Sequence, residues 1–254
     1  MIQYLDSQVA ERLAFYAEHN SGRLPQRILY FRDGVPESQY EQLVTDGAST
    51  SELDLIRKGC RMAAAKARKK GGRHAGASYS PRIAIIVCGK RHHTRFYPTE
   101  AMHTDGKGNS APGTVVDRGV TSIANLDFYL QAHVGIQGTA RSAHYYAIHD
   151  DVGFSSDDLQ TLVHEMSYLF ARATKSVSYV PPAYYADILC ERGRCYLQAL
   201  LAGHPTTDMK DVRKKAGPDE RDKKAAERDA AYKEAEATWG AGPKEAIQRL
   251  MYYI

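Results

Sequence analysis

Two aspartates stand where a carboxylate could bind a metal ion or a reacting group, and Asp33 is the first. It follows the short apolar run 28–31, which is typical of a strand buried on both faces, and Gly34 comes directly after it. A carboxylate at the carboxyl end of a buried strand projects into the crevice where open α/β sheets bind ligands. Asp-Gly is also common turn chemistry, and from this stretch alone the turn interpretation is favoured.

The second aspartate, Asp187, closes the segment Pro181-Pro-Ala-Tyr-Tyr-Ala-Asp187, whose prolines favour a helix start. Its carboxylate could bind a cation, but an acid near a helix N-terminus also stabilises the helix dipole. Arg192 lies five residues further on, so it need not share the helix face of Asp187. The spacing leaves both roles of Asp187 open.

Basic residues are concentrated in one segment of the chain. The net charge is +4, yet twelve Lys and Arg and no Asp or Glu lie between Arg57 and Arg95, so this segment carries +12 and the remainder −8. Phosphate neutralisation and counterion release dominate nucleic-acid affinity, so the distribution predicts a polyanionic partner. A solvated basic helix without a partner gives similar runs, but the absence of any acid favours nucleic acid.

Two clusters could contact phosphates. Lys90-Arg-His-His-Thr-Arg95 directly follows the apolar run 83–88, and its arginines could bind a phosphate bidentately. His92 and His93 are adjacent and would point to opposite faces of an extended chain, which disfavours a shared metal ion. The second cluster (His133, Gln137, Arg141 and His144) surrounds the glycine turn 135–141, whose backbone N–H groups could approach phosphates, although GxxG alone is a weak signal.

The composition is that of a globular chain, with 43% hydrophobic and 25% charged residues. No run of about 18 apolar residues predicts a membrane span, and the first residues lack the basic and apolar regions of a secretion signal. The four cysteines (Cys60, Cys88, Cys190 and Cys195) form no CxxC pair, which predicts reduced packing residues. We therefore expect a cytoplasmic protein without a membrane partner.

Hydrophobic periodicity predicts an alternation of helices and strands. Helices are expected over 2–16, 39–44, 52–70, 155–174, 183–201 and 243–254, and strands over 28–31, 83–88, 94–97, 114–117, 127–134 and 142–149. Segment 206–238 is dense in Lys, Glu, Asp and Ala with almost no large apolar residue, which predicts an exposed helix or a disordered charged insertion.

Six short stretches occur in a recognisable order. They are Tyr30-Phe-Arg-Asp-Gly-Val35, Lys90-Arg-His-His-Thr-Arg95, Gly135-Ile-Gln-Gly-Thr139, Phe154-Ser-Ser-Asp-Asp158, Ser176-Val-Ser178 and Pro182-Ala-Tyr-Tyr-Ala-Asp187. Together they resemble the Piwi domain of a eukaryotic Argonaute, and Leu250-Met-Tyr-Tyr-Ile254 is similar to the family's C-terminus. The resemblance covers almost the whole chain except 206–238, so we interpret 1–254 as the C-terminal part of a Piwi domain with a charged insertion.

The resemblance implies an α/β, RNase H-like fold: a mixed central sheet flanked by helices. In the family, acidic residues hold two Mg²⁺ ions that cut a target RNA paired with a small guide RNA, because hard cations prefer oxygen ligands. Asp33 matches the third catalytic, metal-binding position, and Asp187 the fourth. The implied roles are RNA silencing and an RNA endonuclease reaction, with magnesium as cofactor and guide and target RNA as partners.

The same matching assigns guide-RNA contacts to a set of polar residues. These are Lys90, Arg95, His133, Arg141, Arg172, Ser178 and Tyr184, with Arg192 reaching toward the region of the guide 5′-phosphate. Such contacts position an RNA backbone without reading its bases.

The chain departs from the family pattern at its start. Two of the four catalytic carboxylates, an Asp and a Glu, together with the first strands of the sheet, would precede Met1. Asp33 and Asp187 alone offer too few anionic ligands for two divalent ions, so we expect no cleavage unless the rest of an Argonaute chain supplies the others. The alternatives are a non-catalytic RNA-binding or interaction module and a truncated gene product.

Overall fold

The computed structural model describes residues 2, 4–45, 51–69 and 79–202, and a few positions nearer the C-terminus (223, 226, 230, 233–237, 247 and 250–254). The chain divides into two compact units, Met1–Ala183 and Tyr184–Ile254. The sheet and the residues packed on it belong to the first unit.

The first unit is built on a five-stranded mixed sheet. In chain order its strands are β1 (Arg27–Asp33), β2 (Arg82–Gly89), β3 (Thr114–Val116), β4 (Asp127–Gln131) and β5 (Ala143–Asp150). In space the order is β1-β2-β5-β4-β3, with β1 parallel to β2 and the other pairs antiparallel. The predicted mixed central sheet is confirmed.

The helices follow the predicted periodicity at most positions. They are α1 (Leu5–His19), α2 (Tyr40–Val44), α3 (Glu52–Lys69), α4 (Ser156–Met166) and α5 (Pro181–Ala202), with single 3₁₀ turns at Glu37–Gln39 and Ala101–His103. Helix α5 begins in the first unit and continues into the second. None of the helices in the described residues has both the length and the apolarity that a membrane span requires.

The core lies between the sheet and the pair α1 and α3. Strand β2 lies between β1 and β5, and its residues are buried from Ile83 to Cys88. Leu13 of α1 and Ile56 of α3 belong to the same apolar cluster as Ile83. Gly59 sets the approach of the two helices, because a Cβ there would lie 2.6 Å from the carbonyl oxygen of Asp6.

The parallel pairing of β1 and β2 positions the candidate carboxylate. The strands run in register, so Asp33 at the end of β1 lies opposite Cys88 near the end of β2. Asp33 and the basic segment 90–95, both predicted to carry chemistry, therefore lie together at the carboxyl ends of neighbouring strands.

Among the described residues of the first unit, two element predictions are wrong. No strand forms at 94–97, where the Arg95 guanidinium donates to the carbonyl oxygens of His92 and Thr94 and so occupies groups that a ladder would need. Helix α4 ends at Met166 rather than near 174, because the Ser167 hydroxyl donates to the His164 carbonyl oxygen and the chain continues in tighter turns.

The cysteine prediction holds for half of the set. Cys60 and Cys88 are buried packing residues, whereas Cys190 and Cys195 on α5 are exposed, so the prediction that all four are packing residues is wrong for these two. The predicted charged insertion at 206–238 lies mostly outside the described residues. The positions of this segment that are described (223, 226, 230 and 233–237) are helical.

Candidate nucleic-acid interface

Asp33 lines a cleft at the carboxyl ends of β1 and β2. The cleft has a volume of about 330 Å³ and is also lined by Lys90, Tyr40, His92 and His144. Asp33 is exposed, in agreement with a role toward solvent or a ligand. Burial, followed by the charge of Glu37, raises the pKa of Tyr40 to about 12, so its hydroxyl keeps its proton at neutral pH.

Lys90 is the centre of a cationic cluster beside this cleft. Its ammonium group donates to the hydroxyl of Ser178, and its carbonyl oxygen accepts from the Arg141 guanidinium at 3.3 Å. Desolvation, and then the charge of Arg141, lower the pKa of Lys90. The structure thus brings together three residues that the sequence assigned to RNA: Lys90, Arg141 and Ser178.

The charge of Lys90 also acts on His133. It follows β4, and desolvation together with the charge of Lys90 lowers its pKa to about 4. The amide of Gln131 donates to the His133 carbonyl oxygen at 2.6 Å and accepts from the Ser142 hydroxyl at 3.0 Å, which ties the ends of β4 and β5 together. At neutral pH His133 is an uncharged hydrogen-bonding group beside a cationic lysine.

Buried tyrosines attach the segment that carries Ser178 to the sheet. The Tyr179 hydroxyl donates to the Cys88 carbonyl oxygen at 2.7 Å, and the Tyr145 hydroxyl accepts from the backbone N–H of Val180 at 3.1 Å. Burial raises the pKa of Tyr179, and the neighbouring Cys88 and Asp33 raise it further. These bonds fix the backbone that presents Ser178 to Lys90.

Of the two histidines in the basic stretch 90–95, His92 packs against the sheet, whereas His93 is exposed. His92 bonds through Nε2 to the Ser142 carbonyl oxygen at 2.8 Å, and its ring meets the Tyr129 ring edge-on at 5.1 Å. His144 is buried against the Tyr129 ring and bonds to the Asp127 carboxylate at 2.8 Å. His144 therefore belongs to the packed sheet rather than to the surface of the glycine turn.

The glycine turn 135–141 is held by a neighbouring loop. The Asp105 carboxylate accepts from the backbone N–H of Gly135 at 3.1 Å, and the buried Asn109 side chain bonds to Gly138 and Ala140. Desolvation raises the pKa of Asp105, but the backbone N–H donors of residues 107, 109 and 135 outweigh it, and the pKa lies below its usual value. In the sequence, the pattern Asp105-Gly-Lys-Gly-Asn109 is the signal that predicts side chains bonding to nearby backbone.

The remaining predicted residues lie elsewhere. Arg172 is exposed between α4 and α5, and Arg95 is bonded to its own segment as described above. Tyr184, Asp187 and Arg192 are on α5 in the second unit, where Asp187 and Arg192 are exposed.

The basic run 57–95 does not act as one surface. On α3, Lys58 pairs with Asp6 at 2.7 Å and Arg57 with Asp54 at 3.8 Å, so acids from outside the run neutralise part of it. Lys90 and Arg95 instead follow β2 at the sheet edge. Residues 70–78 of the run lie outside the described residues.

The carboxylates fit Mg²⁺ by the type of donor but not by number. Asp33 and Asp187 offer the oxygen ligands that a hard cation prefers. Across the described ranges, no group of three or more Asp, Glu, His or Cys side chains is placed to hold a metal ion. Two carboxylates alone are too few ligands to hold two divalent ions.

Comparison with known proteins gives consistent likenesses. The family model described as the Piwi domain matches residues 1–198. The chain is 40% identical over 202 residues to protein argonaute 2 of Oryza sativa subsp. japonica, covering 79% of this chain and 18% of that protein. It is 42% identical over 185 residues to protein argonaute 5 of Arabidopsis thaliana, covering 72% and 17%. The chain thus spans less than a fifth of the length of these relatives.

Solved structures show the same likeness. The C-terminal lobe of a budding yeast Argonaute superposes with a TM-score of 0.71 and 33% identity, covering 82% of this chain and 40% of that one. Kluyveromyces polysporus Argonaute with a guide RNA gives a TM-score of 0.69 and 35% identity, covering 78% and 22%. These likenesses confirm both the predicted family resemblance and the predicted RNase H-like fold class.

Proposed function

The chain belongs to the Piwi-domain family, and from this premise we propose that it serves RNA silencing by binding a small guide RNA and its target RNA. The relatives that support the proposal include an Argonaute solved with a guide RNA. Because the chain spans less than a fifth of its curated relatives, the partners also include the remaining parts of an Argonaute chain.

The observation that carries the proposal is the meeting of Lys90, Arg141 and Ser178 at the ends of β2 and β5. Lys90 bonds to a neutral hydroxyl and Arg141 to a neutral carbonyl oxygen, so neither bond neutralises a charge that could pair with an outside anion. A half-buried cation attracts phosphate strongly because the low local dielectric strengthens the interaction. The cluster suits an RNA backbone and not the edges of bases.

The family pattern assigns guide contacts to five further residues. We propose that Arg95, His133 and Arg172 in the first unit, and Tyr184 and Arg192 on α5, also contact the guide backbone. The assignment rests on their match to the family pattern, and for His133 also on its electrostatic link with Lys90.

The proposal also concerns cleavage of the target RNA. Asp33 and Asp187 would each supply one ligand for Mg²⁺, which activates a water molecule and stabilises the leaving oxygen when bound. Too few carboxylates are assembled in the described part of the chain for this chemistry. We therefore propose that the 254-residue chain binds RNA, and that cutting requires further carboxylates.

The binding proposal is tested by the salt dependence of affinity. The 254-residue chain is titrated into a short fluorescein-labelled RNA guide paired with its target, and fluorescence anisotropy is followed at several salt concentrations. We expect log K to fall linearly with log salt, by about 0.7–0.9 for each phosphate neutralised. A flat plot would rule out a phosphate-binding role.

A second candidate, an RNA-binding module without catalytic function, is favoured by the small number of assembled carboxylates. Incubating the guide-paired RNA with Mg²⁺ distinguishes the two. Binding without a cut product favours the module. A cut product that disappears in Asp33→Ala would establish that the chain is an endonuclease and that Asp33 is catalytic.

A further inference from the structure

The glycine turn 135–141 lies beside the cationic cluster of Lys90, Arg141 and Ser178. Ile136 at its tip is 88% exposed, and the turn is flanked by His133 and Arg141. A turn rich in glycine and exposed residues would by itself sample many conformations, since glycine allows a wide range of φ and ψ. Residues 136–139 of the turn are exposed, so their side chains do little to hold its conformation.

The loop 105–109 supplies that restraint. The Asn109 side chain, only 5% exposed, donates to the Gly138 carbonyl oxygen at 3.2 Å and accepts from the Ala140 N–H at 2.7 Å. The Asp105 carboxylate accepts from the Gly135 N–H at 3.1 Å and also from the N–H of Asn109 at 3.1 Å. Both ends of the turn are thus bound to one pair of side chains.

Two further contacts tighten the same junction. The Lys107 ammonium donates to the Ile136 carbonyl oxygen at 3.0 Å. Gly135 packs so closely on the loop that a Cβ there would lie 2.4 Å from Nδ2 of Asn109. Because the Asn109 side chain is buried and bonded on both sides, it has little room to move away.

We propose that Asp105 and Asn109 are positioning residues that hold the turn 135–141, and with it His133 and Arg141, in the conformation that receives an RNA backbone. This inference rests on the proposed function. Neither residue contacts RNA in this account; each acts by removing conformations of the turn that cannot bind. The apparent affinity is the intrinsic affinity multiplied by the fraction of molecules in the competent conformation, so it falls as that fraction falls.

The test compares Asn109→Ala with Asn125→Ala in the 254-residue chain. Asn125 is a matched control, since it is exposed and its side chain donates to the nearby Ser122 hydroxyl at 3.3 Å. For Asn109→Ala we expect about tenfold weaker binding of the fluorescein-labelled RNA duplex and faster hydrogen exchange over 135–141. Asn125→Ala should change neither quantity.

The salt dependence separates positioning from contact. Asn109→Ala removes no cation, so its plot of log K against log salt should keep the wild-type slope. Arg141→Ala removes one cation, so it should reduce the slope by the contribution of about one phosphate contact. A reduced slope for Asn109→Ala would overturn the positioning role in favour of a general loss of the cationic surface.

Gly135→Ala is an independent variant from the other side of the junction, and it is used if Asn109→Ala fails to fold. Its new Cβ should displace the Asn109 amide and reproduce the loss of affinity with an unchanged salt slope. Wild-type affinity in both variants would overturn the inference while leaving the proposed function intact. Failure of the wild-type chain itself to bind the duplex would overturn the proposed function.

Discussion

Two regions of the first unit differ in the partners to which their charged side chains bond. Where α3 packs on the sheet, the fully buried Glu52 carboxylate accepts from the Arg32 Nε at 3.0 Å, from the Tyr30 hydroxyl at 3.0 Å and from the Ile2 N–H at 3.2 Å. At the ends of β2 and β5, Lys90 and Arg141 bond to neutral oxygens. In the first region the charges pair with each other, whereas in the second no acid among the described residues forms an ion pair with Lys90 or Arg141.

The difference separates a structural charge from a functional one. A buried ion pair with every hydrogen bond made has nothing left to offer a ligand, and breaking it exposes the full cost of burying a charge. A desolvated cation bonded to neutral groups costs stability, which an anion can recover on binding. We therefore expect substitutions in the first region to change stability, and those in the second to change RNA affinity.

The largest effect is expected from Glu52→Ala. It leaves the Arg32 guanidinium, only 19% exposed, without its carboxylate, so we expect the free energy of unfolding to fall by about 3 kcal/mol in urea denaturation. Glu11→Ala is the matched control, because the Glu11–Arg12 pair is exposed and should contribute less than about 0.5 kcal/mol. Equal losses in the two variants would contradict the distinction between the regions.

His133 should make stability depend on pH. Its pKa of about 4 in the folded state is below the value of about 6.5 in an unfolded chain, so the unfolded chain takes up the proton first as pH falls. The contribution of His133 is therefore complete above pH 6.5 and is lost between about 6.5 and 4.

We expect wild type to lose about 2 kcal/mol more than His133→Gln over this range, measured by urea denaturation at each pH. His103→Gln, at an exposed position, is the control and should follow wild type. A His133→Gln curve parallel to wild type would show that burial and Lys90 do not depress this pKa.

The third prediction compares two lysines by the same substitution. Lys90→Met should weaken RNA binding about tenfold without loss of stability, since it removes a desolvated charge bonded to Ser178. Lys58→Met should leave RNA affinity unchanged, because Lys58 is neutralised by Asp6 at 2.7 Å. Anisotropy titrations measure both variants, and equal losses of affinity would mean that the whole basic run binds RNA.

The sequence predicted elements better than it predicted contacts. Strands β1 and β2 were recognised from their apolar runs, and Asp33 and Lys90 were placed at the strand ends, because these features depend on neighbouring residues. The strand expected at 94–97 failed because Arg95 bonds back to its own segment, which β-propensity does not register. The roles of Asp187, Tyr184 and Arg192 remain predictions from family resemblance.

The sequence alone determined the family and its fold class, because short motifs, their order and hydrophobic periodicity can be recognised without knowing which distant residues meet. The tertiary structure alone decided which charges meet. Ser178 lies 88 residues from Lys90, Asp6 neutralises Lys58 of the basic run, and Asn109 bridges to the glycine turn. Such partners are chosen by strand order and register, which bring distant segments together and which no short stretch of sequence encodes.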